Sequence, residues 1–311
     1  MAGPRRILLF GGSGQVGSEL RDRVWPEGFA LIAPNRSEVD IGDRAAVAAL
    51  LATGDVAAVI NTAAWTAVDA AEDDEAAAFA ANALGPAILA EEARRRDVPL
   101  IHVSTDYVFD GTKPTPYVED DPTGPIGVYG MSKLAGEDAV RSGNPRHLII
   151  RTAWVVGQHG KNFVKTMLRV AESRDTLRVV DDQHGTPTAA ADLAAALATM
   201  ATLADLSERT GTYHFANRGE TTWCGLAREV FRQSAALGGP SATVEAITTA
   251  DYPTPAQRPA NSRLATAKVE RDFGIVPRPW QEAVAEVVES LVGPTSQGRD
   301  GNAAPGRRDP A

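Results

Sequence analysis

The sequence predicts an α/β fold in which a doubly wound parallel sheet carries a smaller, discontinuous C-terminal region. Three observations predict it. Short, continuous apolar runs alternate with stretches of helical spacing through the first half of the chain. The first apolar run ends directly in a glycine-rich turn, Gly11-Gly12-Ser13-Gly14-Gln15-Val16-Gly17. After residue 151 the alternation breaks down, and Pro, Thr and Arg become more frequent. Strands that are apolar on both faces must be covered on both faces, which a parallel sheet between two helix layers achieves.

In chain order, residues 6–10 form a first strand, and 15–25 a helix with Val16, Leu20 and Val24 on one face. A second strand, 29–33, precedes a helix at 43–52 that Asp43 opens as N-cap. A third strand, 56–61, leads to helices at 69–81 and 83–96, the latter starting near Pro86. A fourth strand, 98–104, a helix at 129–141 and a fifth strand, 147–150, complete the regular half. Beyond it, 177–180 and 243–247 read as strands, and 192–206 and 224–236 as helices. The segment GTYHFA at 211–216 reads as a strand returning to the main sheet. Residues 1–153, with returning segments at about 186–216, thus form the sheet domain, and about 154–185 and 217–292 the smaller region. Residues 293–311, rich in Gly, Pro, Arg and Asp, are expected to be disordered.

Composition narrows the function. The 311 residues are 43% hydrophobic and 23% charged, values that support a sizeable core. A net charge of −9 without a local basic patch argues against nucleic acid or an anionic membrane as partner. The single cysteine, Cys224, excludes an internal disulfide and fits a reducing compartment; it reads as a packed apolar residue. The apolar run 7–10 is too short for a signal peptide, and 194–204 is too short for a membrane span, so a cytoplasmic location is expected. The five histidines lack metal-ligand spacing, so no metal site is expected; His102 and His214 lie in strands and read as packed.

Gly11, Gly14 and Gly17 lie between a strand and a helix, where glycine permits a tight turn and close approach of a pyrophosphate. The free N–H groups and partial positive charge of the helix start favour that anion. The pattern makes the sheet Rossmann-type. The second strand ends in Pro34-Asn35-Arg36-Ser37, without the acidic residue that bonds a ribose 2′-hydroxyl. Arg36 and Ser37 are suited instead to a 2′-phosphate, which favours NADPH over NADH. Asp40 and Ile41 are placed to flank the adenine, and Ala63 and Ala64 let a cofactor lie close to the end of the third strand.

Tyr129 and Lys133 are four residues apart, on one face of a helix. Reduction of a carbonyl needs hydride at carbon and a proton at oxygen. A free phenol has a pKa of about 10, and a neighbouring ammonium is expected to lower it. Ser104 and Thr105 close the fourth strand, where ligands of open parallel sheets bind. A Thr105 hydroxyl there can bond a substrate carbonyl or the tyrosine. The acidic runs at 72–75 and 119–121 read as a solvated helix start and a loop, not as paired catalytic carboxylates.

Together these features resemble the extended short-chain dehydrogenase/reductase superfamily. Within it, GGSGQVGSEL, NTAAWTAVDAAE, STDYVFDG, VYGMSKLAGE, RTAWVVG, NFVKTML, DDQHGTPT and YPTPAQRPANSRL resemble the dTDP-4-dehydrorhamnose reductases, over residues 5 to about 292. The resemblance implies reduction of the 4-keto group of dTDP-4-dehydro-β-L-rhamnose to dTDP-L-rhamnose, for cell-wall or surface polysaccharide. It implies Tyr129 as proton donor, Lys133 orienting the ribose and tuning Tyr129, and Thr105 assisting. By the same resemblance Gly14, Gln15, Val16, Asp40, Ile41, Ala63, Ala64 and Thr66 contact the cofactor, while Thr105, Asp106 and Trp154 line the sugar. Trp154 offers a ring face for sugar C–H groups, with core packing as the alternative. Asn162, Lys165, Arg258 and Arg263 are candidates for the substrate pyrophosphate, with surface solvation as the alternative. Some family members dimerise through Mg²⁺ held by glutamates. Here Glu19 matches one such position, but Ala191 and Ser290 stand at the other two, which leaves Mg²⁺ and the choice of monomer or homodimer open. Two alternatives remain: another nucleotide-sugar epimerase or dehydratase of the superfamily, and a non-catalytic regulatory subunit of the methionine adenosyltransferase type.

Overall fold

The computed structural model describes residues 3–203, 206 and 209–293. The chain runs β1 (Arg5–Phe10), α1 (Gln15–Asp22), β2 (Phe29–Ile32), α2 (Arg44–Leu51), β3 (Val56–Asn61), α3 (Val68–Asp73) and α4 (Glu75–Phe79). A π-helical turn, Ala80–Leu84, leads into α5 (Gly85–Arg95), β4 (Leu100–Thr105), a 3-10 turn (Asp106–Val108), α6 (Val128–Gly143) and β5 (His147–Thr152). There follow β6 (Val155–Val156), α7 (Phe163–Ala171), β7 (Thr176–Val180), β8 (His184–Gly185), β9 (Thr188–Ala189) and α8 (Ala190–Ala201). The rest comprises β10 (Gly211–His214), β11 (Thr221–Thr222), α9 (Trp223–Ala236), β12 (Thr243–Ile247), a 3-10 turn (Thr249–Asp251), α10 (Ala267–Phe273) and α11 (Trp280–Val292).

Six parallel strands form the central sheet in the order β10-β5-β4-β3-β1-β2. β1 lies between β2 and β3, so the winding reverses beside it. That reversal opens a crevice at the strand ends, where open α/β sheets bind ligands. One apolar layer joins Ile7, Leu9 and Ile60 of the sheet to Leu20 of α1 and Leu193 and Leu197 of α8. The opposite layer joins Leu8, Phe10 and Val59 to Val47 of α2, Leu89 of α5 and Val140 of α6. A further core brings Val164 of α7, Leu177 of β7, Leu226 and Val230 of α9 and Val284 of α11 around Phe109 and Trp154. β7 and β12 pair there, in parallel and apart from the main sheet.

Local chemistry explains the boundaries. Asp43 caps α2 as the sequence predicts, its carboxylate accepting the Ala45 and Ala46 N–H groups. The first helix is shorter than expected. It ends at Asp22, and Val24, expected on its apolar face, is 95% exposed beyond it. The expected helices 69–81 and 83–96 are instead α3, α4, the π-turn and α5 in near-continuous succession. The turn buries Asn82, whose amide bonds Trp65 N, Trp65 O and Ser132 Oγ. Gly136 of α6 allows that approach, since a Cβ there would lie 2.0 Å from the Asn82 carbonyl. The expected helix 192–206 begins at Ala190 and ends at Ala201. The expected disordered tail lies outside the described residues from 294 onward. Cys224, His102 and His214 are buried, as packed residues should be. Among the described residues no helix is long and apolar enough to cross a membrane.

Candidate active site

The glycine turn is built for close contact. Gly11 has φ +85°, and a Cβ on it would lie 2.4 Å from Ala63 N. A Cβ on Gly17 would lie 2.1 Å from the Gly11 carbonyl. Neither position accepts a side chain without moving backbone. Gly14 is the extended N-cap of α1 and donates its N–H to the Gly11 carbonyl. This turn forms one wall of a cavity of about 1010 Å³. Arg36, Asp40, Ile41, Ala63 and Ala64 lie on its other walls, so these expected cofactor residues converge. Arg36 pairs with Asp40 at 3.0 Å. The Gly42 N–H first, and then Arg36, hold the Asp40 carboxyl below its usual range.

Other expected cofactor residues stand outside this lining. Val16 and Gly17 are buried in the packing of α1, and Thr66 is exposed. Gln15 turns away from the turn: its Oε1 accepts from Asn162 Nδ2 at 3.0 Å, and its Nε2 reaches the Val155 carbonyl at 3.5 Å. Two further arginines, Arg21 of α1 and Arg44 of α2, line the same cavity. Sequence reasoning missed both, because charges on helix surfaces usually read as solvated.

Where the fourth strand ends, α6 presses its first turn against the 3-10 turn. A Cβ on Gly130 would lie 2.2 Å from the Tyr107 carbonyl, so glycine lets Tyr129 approach Thr105. Tyr129, Lys133, Thr105 and Asp106 are all buried. Thr105 donates its hydroxyl to Asp106 Oδ1 at 3.0 Å and accepts the Tyr107 N–H at 3.2 Å. It also stands within hydrogen-bond reach of the Tyr129 phenol. The Tyr107 and Tyr129 rings meet edge to face at 5.3 Å.

The electrostatics differ from the expectation in one respect. Burial pushes the Tyr129 phenol well above its usual range, and Thr105 opposes it only in part. Lys133 does not lower it in this arrangement, because its ammonium is turned to the Val103 carbonyl at 2.7 Å. Burial pushes Lys133 itself down to about 8, against the pull of Glu137. Burial raises Asp106 to about 6, opposed by Ser262 and Thr105. Ser262 is thus a site neighbour that sequence reasoning missed; the signal was its place inside the YPTPAQRPANSRL segment.

The expected substrate residues divide. Arg258 joins the cluster, with Nη2 on Asp69 Oδ2 at 2.7 Å and Nη1 3.4 Å from the Tyr107 hydroxyl. Trp154 does not offer an open ring face. It is stacked on Trp223 at 3.7 Å and packed against Gly185 in the core beneath. Asn162 caps α7 through the Lys165 N–H, and its amide is held by Gly157 and Gln15. Lys165 bonds the Gln158 carbonyl. Arg263 is spent on Glu220, Asn261 and the Pro114 carbonyl.

Glu19, Ala191 and Ser290 do converge, around a pocket of about 140 Å³ that Arg278 and Glu286 also line. Arg278 engages Glu286 and Asp192. Two of the three positions carry no carboxylate, Glu19 is contacted by Gln158 and His159, and Arg278 holds Glu286, so this set does not fit a divalent cation. Among the described residues no group of three or more His, Cys, Asp or Glu is arranged to hold a metal.

Known proteins match this chain over most of its length. The family model described as the RmlD substrate binding domain matches residues 5–292. A dTDP-4-dehydrorhamnose reductase from Sinorhizobium fredii is 44% identical, the match covering 92% of this chain and 98% of the relative. A crystal structure of a dTDP-4-dehydrorhamnose reductase from Clostridium acetobutylicum superposes with a TM-score of 0.86 at 36% identity, covering 92% and 99% of the two chains. One from Bacillus anthracis, in complex with NADP, superposes with a TM-score of 0.86 at 31% identity over the same shares.

Proposed function

Because the chain belongs to the dTDP-4-dehydrorhamnose reductase family, a family of NADP-dependent oxidoreductases, we propose that it reduces the 4-keto group of dTDP-4-dehydro-β-L-rhamnose. The product is dTDP-L-rhamnose, a precursor for cell-wall or surface polysaccharide. NADPH supplies the hydride when bound. The observation that carries this reading is that the Tyr129 phenol comes within reach of Thr105 where the fourth strand ends, with Lys133 one turn along α6 and Trp65, packed against the Tyr129 cluster, lining the glycine-walled cavity.

Gly11 and Gly17 leave backbone room for a pyrophosphate, and the start of α1 faces it with free N–H groups. Arg36, with Arg21 and Arg44 on the same cavity, provides positive charge for a 2′-phosphate. Ile41 and Asp40 line the part suited to an adenosine. The Thr105 and Tyr129 hydroxyls lie within reach of each other, and the carbonyl oxygen is held beside them. As that oxygen becomes an alkoxide, Tyr129 gives up its proton to it. A raised phenol pKa keeps the proton in place until then, and an alkoxide is still more basic than the phenolate left behind. Lys133 lies one turn along and, on rotation from Val103, offers its amine to the cofactor ribose. Arg258, at the Tyr107 hydroxyl, receives the sugar nucleotide's phosphates in exchange for its Asp69 partner.

The purified chain is expected to oxidise NADPH only when dTDP-4-dehydrorhamnose is present, with NMR of the product showing dTDP-L-rhamnose. Consumption of the substrate without NADPH oxidation would mean an epimerase or dehydratase. No turnover, with capture of an S-adenosylmethionine synthetase instead, would mean a regulatory subunit.

A further inference from the structure

Lys133 has a buried neighbour for which carbonyl reduction gives no reason. His102 of β4 is fully buried, and its Nε2 lies 3.5 Å from Lys133 Nζ. Its other ring nitrogen, Nδ1, lies 3.0 Å from Asn61 Nδ2. Asn61, at the end of β3, in turn accepts the Ala63 N–H on its Oδ1 at 3.0 Å. That bond orients the amide, with oxygen toward the turn that lines the cofactor cavity and NH2 toward the ring. An amide NH2 only donates, so His102 Nδ1 must present a lone pair. Burial, reinforced by the nearby Lys133, keeps the ring neutral. A neutral imidazole carries one N–H, and here that N–H is on Nε2, facing Lys133. An ammonium has donors and no acceptor. The contact is therefore donor against donor while Lys133 is charged, in keeping with its length, and becomes a hydrogen bond once the amine is neutral.

We propose that His102 is a positioning residue for Lys133: Asn61 locks its Nε2–H tautomer, and that N–H favours the uncharged amine. The proposal rests on the reading of Lys133 as part of the active site. The groups facing Lys133 are few. Glu137, one turn along α6, favours the charged form. Glu137 is itself held by Arg151 of β5 and by Arg141. Tyr129, on the same helix face, stays a neutral phenol. β3 contributes only Asn61, which is uncharged, through the ring. Burial opposes Glu137 and brings the amine to about 8, and the proposed His102 N–H acts in the same direction as burial. The group that meets the ribose is thereby poised between donor and acceptor near working pH.

The test uses the cofactor-free full chain with 15N-labelled histidine, followed by long-range 1H–15N spectra from about pH 6 to about pH 10. The His102 signals are assigned by their loss in His102→Gln. The expected result is a ring proton on Nε2 throughout, with an Nε2 resonance that moves with a midpoint near 8 in wild type and not in Lys133→Met. A proton on Nδ1, a ring that itself protonates in the ordinary histidine range, or an unchanged midpoint in Lys133→Met would each overturn the proposal. These spectra need neither cofactor nor substrate, so their failure is distinct from failure of the reductase reading. In turnover, His102→Leu should displace the alkaline limb of the pH profile by about half a unit or more, while His102→Gln, which keeps an N–H, stays near wild type. A His102→Leu profile superimposing on wild type would contradict the role. If His102→Leu does not fold, the Lys133→Met spectrum decides.

Discussion

At the scale of single residues, the site works by burying groups that water would otherwise level. Asp106 shows the cost. Its carboxyl is raised above the usual carboxylate range to about 6, chiefly by burial. A carboxyl with a raised folded pKa stabilises the fold below its unfolded pKa and loses that contribution as pH rises through the folded value. Wild type should therefore lose stability between about pH 4 and about pH 6 relative to Asp106→Asn. Urea titrations should find the variant more stable by a few kcal/mol, about 3 at most, at pH 8, and equal to wild type below about pH 4. Equal stability at both pH values would mean that the carboxyl is not desolvated. Arg36 supplies a second test. Its replacement by Gln should weaken NADP+ binding about tenfold and leave NAD+ binding nearly unchanged, measured by calorimetry with both nucleotides. Equal losses for both would remove Arg36 from the 2′-phosphate.

At the scale of elements, much of the architecture is legible because it depends on short-range rules. Asp43 caps α2 where an acidic N-cap was expected, and β3 spans 56–61 as its apolar run does. Tyr129 and Lys133 are legible because helical spacing alone puts them on one face. What local rules leave out is tertiary. α7, α10 and α11 are not anticipated from the sequence, and each of them buries apolar residues against distant segments. The lysine's effect on the phenol is also misjudged, since spacing places Lys133 near Tyr129 but does not reveal the Val103 carbonyl that takes its ammonium. Trp154 reads as a sugar platform until Trp223, 69 positions later in the chain, is seen to cover it. Close backbone approaches carry their own prediction. Gly130→Ala would press a methyl against the Tyr107 carbonyl and push α6 away from Thr105. It should lower the melting temperature and reduce kcat more than tenfold; an unchanged kcat would show that the phenol does not depend on this contact.

At the scale of the whole molecule, the sheet and the core around Trp154 meet through side chains that bridge them. Gln15 and Asn162 join α1 to α7, and Asp69 joins Arg258 to the region around α3. Nearby, Glu19, Ala191 and Ser290 form a pocket without the acidic set that a bridging cation needs. Sedimentation velocity should therefore give the same assembly state with Mg²⁺ and with EDTA, and activity should be unaffected by the chelator. An EDTA-dependent change in mass would show that a cation is held by ligands other than these three side chains.

In the proposed reaction Tyr129 delivers the proton to a sugar ketone reduced by NADPH. Steady-state NADPH oxidation with dTDP-4-dehydrorhamnose, compared between wild type and Tyr129→Phe, tests it most directly. With cofactor affinity preserved, the variant should lose on the order of 10²–10⁴ in kcat, the contribution of one positioned general acid. Turnover by Tyr129→Phe equal to wild type would rule out Tyr129 as the proton donor.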